Sequence, residues 1–231
     1  MKRFYKQTAV IEDQGGYGIA LDGRPVRTPG RAALVVPTRA LADAIAGEWD
    51  AQGETIDPRS MVLTGLANAA IDRVGADLEG FAAGLAAYGE SDLTCYRADS
   101  PAPLVDRQAA AWDPLLDWAK VRYDIAFVLA TGVMHKPQHA QTTERLAAAT
   151  AARDPFALAA LSPLVTISGS LVAALAVAEE AFEAEAVWEA VCIDERWQAE
   201  QWGEDELAQK AEAARRADFL TAARFLQLLK G

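Results

Sequence analysis

An α+β fold is predicted, with a small antiparallel β-rich part at the N-terminus and a larger, mainly α-helical part after it. Three observations predict it. Between Phe4 and Val36, apolar residues alternate with small or polar ones and turn signals interrupt the pattern. From Thr38 to Leu229 the apolar spacing becomes helical, in segments punctuated by Gly and Pro. No segment repeats at a fixed period and no low-complexity linker divides the chain. The change of composition between Thr38 and Pro58 sets the expected division: residues 1–57 as a small β-rich domain with one helix, residues 58–231 as a helical domain.

The elements are expected in this order. Tyr17, Ile19 and Leu21 alternate with small residues, Asp22-Gly23 signals a tight turn, and ALVVP follows Pro25, Pro29 and Gly30, giving three or four antiparallel strands. Gly15, Gly16 and Gly18 are read as hairpin glycines, because no helix opens behind them to make a phosphate loop. Thr38 is an N-cap for a helix through Asp50 that ends at Gly53, with Trp49 a structural anchor between sheet and helix. Helices are expected from Pro58 to Val74 and from Ala76 to Tyr88, then an ordered connection from Gly89 to Pro103 with an extended piece inside it. The next helix, Leu104 to Tyr123, carries Trp112 on its structural side and a kink or junction at Asp113-Pro114. A lone extended segment at Ile125 to Thr131 precedes helices at Gln138 to Arg153 and Pro155 to Ile167, and the tail from Asp205 to Leu229 is helical.

Composition excludes several classes. With 231 residues and 52% hydrophobic content the chain can bury a full core. A net charge of −11 and a pI near 4.7 argue against nucleic acid as a partner. The two cysteines, Cys95 and Cys192, form no C-x-x-C pair, so a reducing compartment fits and a structural zinc site does not. MKRFYKQTAVIED runs straight into strand-like sequence without a signal core or amphipathic leader, so a cytoplasmic location and no membrane insertion are expected. His135 and His139 are four apart but straddle Pro137, so no metal is expected there. Ser168-Gly169-Ser170 lacks the glycines of a nucleophile elbow and is read as an N-cap. No cofactor and no small-molecule substrate are implied.

The most informative stretch is Ser168 to Gly203. Leu171 to Ala178 contains no polar residue and belongs in the middle of a domain. Continuing at ~100° per residue, Ala184, Trp188, Val191, Cys192, Ala199 and Trp202 share one face with Glu195 at its centre. A carboxylate in an apolar stripe is costly unless paired, protonated or facing a groove. It either meets an internal arginine such as Arg73, Arg97 or Arg122, or helps to form a surface that receives a partner. Between Glu179 and Glu206 eleven acidic residues face one basic residue, Arg196, which favours a partner with a basic rim. A competing reading is a hydrolase-like enzyme with Glu195 as general base in a helical cleft, its pKa raised by burial.

Five blocks carry a family resemblance: FYKQTAVIED, LDGRPVRTPGRAALVVPTRALADAIAGEWDAQ, M-x-L-T-x-L-x-N-x-A-I-D from Met61 to Asp72, W-D-P-L-L-x-W from Trp112 to Trp118, and SGSL with ERWQAEQWGED. In these the chain resembles the assembly chaperones for the α subunit of the F-type ATP synthase catalytic head, the F1 sector. The resemblance implies an ATP-independent, non-enzymatic protein that holds unassembled α subunit until the β subunit displaces it. It places Glu195 on the family's functionally important late-helix glutamate, within Glu195-Arg196-Trp197-Gln198, and it matches Trp49 to a tryptophan of the first long helix. Glu195, Gln198, Trp202 and Trp188 are thus the expected partner-binding residues.

Overall fold

Thr8–Asp13 (β1) pairs antiparallel with Gly16–Leu21 (β2), from Thr8 opposite Leu21 to Asp13 opposite Gly16. Leu21 then faces Arg24 of Arg24–Pro25 (β3), which leaves a loop of Asp22 and Gly23 alone. Their φ values, 48° and 78°, give the doubly positive turn that matches hairpin twist, as the Asp-Gly pair predicts. The Asp22 carboxylate accepts from the Gln7 and Lys6 backbone N–H groups (2.8 and 3.0 Å), and those bonds hold its pKa below the usual carboxylate range. Val35–Val36 (β4) pairs with the other end of β2, completing a four-stranded antiparallel sheet.

Arg39–Asp50 (α1) packs on β1 and β2 through Leu41, Ala42 and Ile45. The Thr38 hydroxyl caps it by accepting from the Leu41 N–H (3.2 Å) and donates in turn to the Leu228 carbonyl. The helix closes at Ala51, ahead of Gly53. Trp49 packs against a cluster of Tyr5, Leu21, Ile56 and Met61, with the Tyr5 ring edge-on at 5.8 Å.

The single helix expected from Pro58 to Val74 is divided. Pro58–Ser60 is a 3₁₀ turn, Met61 breaks the helical path (φ −114°, ψ 56°), Val62–Ala69 (α2) follows, and Ala70–Val74 is a π-turn. Met61 supplies no side-chain cap, so Glu48 does so from α1, accepting from the N–H groups of Leu63 and Thr64 and from the Thr64 hydroxyl at 2.7–2.8 Å. Asp72 similarly accepts from the Thr28 hydroxyl and the Gly30 N–H (2.7 and 2.8 Å). A Cβ at Gly30 would lie 2.6 Å from that pinned carboxylate, so the close approach requires glycine.

The computed structural model describes residues 1–132, 134–203 and 206–231, and by packing it has two compact units. The first comprises Met1–Leu78, Asp154–Ala160 and Arg224–Gly231; the second comprises Glu79–Arg153 and Leu161–Ala223. Packing thus puts 58–78 with the sheet, whereas composition draws its line at 57 and 58. The remaining helices are Leu78–Ala86 (α3), Ala102–Tyr123 (α4), Ala140–Ala151 (α5), Pro155–Ser168 (α6), Leu171–Ala178 (α7), Ala184–Val191 (α8), Ile193–Trp202 (α9) and Glu206–Leu228 (α10). The fold is α+β, as the sequence predicts. Asp205, expected to start the last helix, lies outside the described residues. Of the extended segment expected at Ile125 to Thr131, only Ala130–Thr131 (β6) is strand, parallel to Tyr96–Arg97 (β5).

In the second unit α4 runs unbroken through Pro114, so no junction forms at Asp113-Pro114. Trp112 is fully buried on it, and its indole N–H donates to the Ala190 carbonyl (2.7 Å). Every residue of α7 is buried, in keeping with an all-round apolar helix. Ser170 caps it by accepting from the Ala173 N–H (3.0 Å) and donates to Asp92 (2.7 Å). Asp92 is itself fully buried and also accepts from the Val172 N–H and from the N–H and hydroxyl of Thr94. Burial pushes its carboxyl upward while these donors pull it back. Among the described residues no helix is long and apolar enough to cross a membrane.

Candidate functional site

The continuous helix projected from Ala184 to Trp202 does not form. At Cys192 (φ −90°, ψ 5°) the chain turns, ending α8 and starting α9. On α8, Val187, Trp188, Ala190 and Val191 are buried; on α9 no residue is. The apolar face therefore does not carry through to Glu195. Trp188, expected at the partner surface, is 1% exposed, with its ring 5.6 Å from that of Phe219. That burial removes it as a contact residue, because α8 turns this side of itself into the core. Cys192 is likewise buried, and burial pushes its thiol up to about 12.

Glu195 sits in the first turn of α9 with its side chain 53% exposed. Both its oxygens accept from Arg215 of α10, one at 2.9 Å. None of the three arginines considered from sequence is its partner: Arg97 pairs with Asp113 (2.8 Å) and Arg122 with Glu179 (2.6 Å). The Arg215 guanidinium holds the Glu195 carboxyl below its usual range, the reverse of the shift a buried general base requires.

Together α9 and α10 line an open groove of about 820 Å³. Glu195, Gln198 and Trp202 all line it, as do Arg196, Glu200, Glu212 and Arg215, with the small side chains of Ala199, Ala208 and Ala211 between them. Trp202 is 80% exposed, an uncommon state for the largest apolar side chain. The groove thus brings three of the four expected contact residues together and leaves out Trp188.

Residues far away in the chain position α9. Gln108 of α4, nearly fully buried, accepts from the Ala98 N–H (2.8 Å) and donates to Asp194 (2.7 Å). Arg107 grips Glu200 with two bonds of 2.8 Å and lies 4.9 Å from the Trp197 ring centroid. Sequence reading missed Arg107, Gln108 and Arg215. Nothing local marks them, because each acts on a residue at least 20 positions away.

The acidic run is also less bare than its composition suggests. Glu179 accepts from Arg122, Arg153 and the Tyr123 hydroxyl, whose pKa is pushed up by burial and by that carboxylate. Glu185 pairs with Arg216, Glu189 with Arg196, and Glu200 with Arg107. Glu204 and Asp205 lie outside the described residues. Five carboxylates of the run, Glu179, Glu185, Glu189, Glu195 and Glu200, are thus paired with arginines of α4, α9 and α10. His135 meets the Tyr96 hydroxyl (2.8 Å) and Glu90 (3.6 Å), whereas His139 precedes α5 without a side-chain capping bond. Among the described residues no group of three or more His, Cys, Asp or Glu is placed to hold a metal ion.

The model of a family described as ATP12 chaperone protein matches residues 2–120. Two solved structures from Paracoccus denitrificans, Atp12 and a point mutant of it, are similar at 43% identity and a TM-score of 0.94; each match covers 99% of this chain, and 98% and 97% of those chains. A solved protein from Agrobacterium tumefaciens is similar at 42% identity and a TM-score of 0.94, over 99% of this chain and 86% of that one. The family match spans more than half of the chain and the solved relatives nearly all of it: the chain belongs to the ATP12 chaperone family.

Proposed function

We infer that this protein is an ATP-independent assembly chaperone of the F1 sector of ATP synthase, working in the cytoplasm, and that it binds the unassembled α subunit until β displaces it. Family membership supports the chaperone role, and the five sequence blocks support the α subunit as client. The observation that carries the site is the open α9–α10 groove, in which a solvent-facing ion pair, an exposed tryptophan and an amide lie side by side.

An unassembled subunit exposes an apolar, aggregation-prone interface. A temporary holder has to cover that surface while binding less tightly than the true neighbour. The groove suits this need. Trp202 offers a large apolar contact, and Gln198 and Glu195 offer polar ones. An exposed ion pair contributes only about 0–1 kcal/mol, so a client cation can take over Glu195 from Arg215 at little cost. Displacement by β requires no hydrolysis, so no cofactor enters and no catalytic residue is needed.

The test is Glu195→Lys in the full chain. It should keep the wild-type fold and lose retention of α, because the client then meets a cation beside Arg215. Unfolding of this variant, or undiminished retention of α, would take Glu195 out of the client site.

A further inference from the structure

A second recess opens on the same unit, beside the groove. It measures about 280 Å³ and lies between α4 and α8. Pro114 and Leu115 of α4, Val187 and Ala190 of α8, and the neighbouring Phe182 and Ile193 give it an almost wholly apolar lining, with Glu189 its only charged member. Leu115, Val187 and Ala190 are buried, and the Trp112 indole N–H fixes the Ala190 carbonyl, so the recess is preformed. Its size falls just below the range of about 300–1,000 Å³ typical of small-molecule sites. One large apolar side chain suits it better than a free metabolite does.

Continuity indicates whose side chain that is. Glu189 lines the recess and pairs with Arg196, and Arg196 lines the α9–α10 groove. One ion pair thus separates the two depressions, and a protein seated in the groove passes over it into the recess. We propose that the recess is a second anchor for the α-subunit client and takes a branched or aromatic apolar side chain from the surface that the β subunit later covers. This rests on the reading of the groove given above. The division of labour is physical: the charged side chains of the groove contribute orientation and encounter, while Trp202 and an apolar anchor in the recess contribute binding energy.

Ala186 lines the recess yet is exposed, so Ala186→Arg lays a long charged chain across it without entering the core, in a helix that accepts arginine well. The full chain carrying Ala186→Arg, Ile193→Ala or Glu195→Lys is co-expressed with the α subunit in the absence of β. Co-elution on sizing, titrated affinity and thermal midpoint are then measured, with Val121→Arg, an exposed position of α4 that lines neither depression, as the control for added charge. The expected result is at least tenfold weaker binding of α by Ala186→Arg, a smaller loss for Ile193→Ala, none for Val121→Arg, and an unchanged midpoint for Ala186→Arg. Wild-type affinity in both recess variants, alongside loss of α by Glu195→Lys, would overturn the recess and leave the groove standing. Wild-type affinity in all of them, or failure of the wild type to retain α, would overturn both. A chaperone that elutes alone as a dimer, and as a monomer with Ala186→Arg, would make a second copy the occupant and overturn the client anchor.

Discussion

Glu195 shows how far a single residue can be read from sequence and where that reading stops. Its place on a late helix beside Gln198 and Trp202 was legible, because helical spacing and the family motif both mark it. Its environment was not: the helix turns at Cys192, and Arg215 comes from another helix. Because the pair is half exposed, Glu195→Lys should change stability by no more than about 1 kcal/mol, as read by urea unfolding. Arg215 depresses the Glu195 pKa, so the charge persists down through the ordinary glutamate value of 4.5, and the contribution of the pair is lost only as pH falls through the lower folded value. Retention of α should accordingly be flat from about pH 5 to 8 where Glu195 governs it. A midpoint inside that range, abolished by Glu195→Gln, would mean that the carboxyl is not held by Arg215 in solution. Asp92 gave no sequence signal beyond sitting in a connection, yet it ties Thr94, Ser170 and Val172 together at the start of α7. Asp92→Asn leaves a donor facing the Val172 N–H and should cost about 2–3 kcal/mol. Its folded pKa is raised, so the folded state binds more protons than the unfolded one just above pH 3.8, and wild-type stability falls as pH rises through that window. The advantage of wild type over Asp92→Asn in urea titrations should therefore shrink with rising pH there.

Elements were legible where the signal was local. The Asp22-Gly23 hairpin, the Thr38 cap of α1 and the Ser170 cap of α7 all follow from one or two residues with a defined backbone task. Breaks were not legible, because projection at a fixed angle cannot detect a single residue that leaves the helix. Met61 and Cys192 both do so without glycine or proline to announce it. At Pro114 the helical spacing of Trp112, Leu115 and Leu116 rightly carried the helix through to Tyr123, and only the allowed junction is absent. Once α9 is a separate short helix with no buried residue, it depends on its side-chain ties to α4 and α10. Gln108→Ala removes a buried bridge to Asp194 and should cost about 1–3 kcal/mol. Amide exchange should then accelerate across 193–202 and stay slow across α7; uniform acceleration would mean that Gln108 supports the whole unit and not α9 in particular.

For the whole molecule, the β-rich start, the helical remainder and the α+β class were visible in the sequence because they depend on periodicity alone. Charge was misleading at this scale. Eleven acids in one stretch suggested a bare acidic face, but arginines drawn from α4, α9 and α10 meet most of those that have described partners. Pairing of this kind is set by tertiary structure, so no count along the chain can detect it. The surface left for a client is a mixed one, a polar groove with an exposed tryptophan beside a small apolar recess. Such a surface should depend only moderately on salt, and doubling ionic strength should weaken α binding less than Trp202→Ala does. The most direct measurement is co-expression of this chain with the α subunit from the same source, first without and then with β. Soluble α that elutes with this protein and leaves it when β is added is the predicted result. Insoluble α, with this protein well expressed and eluting alone, would contradict it.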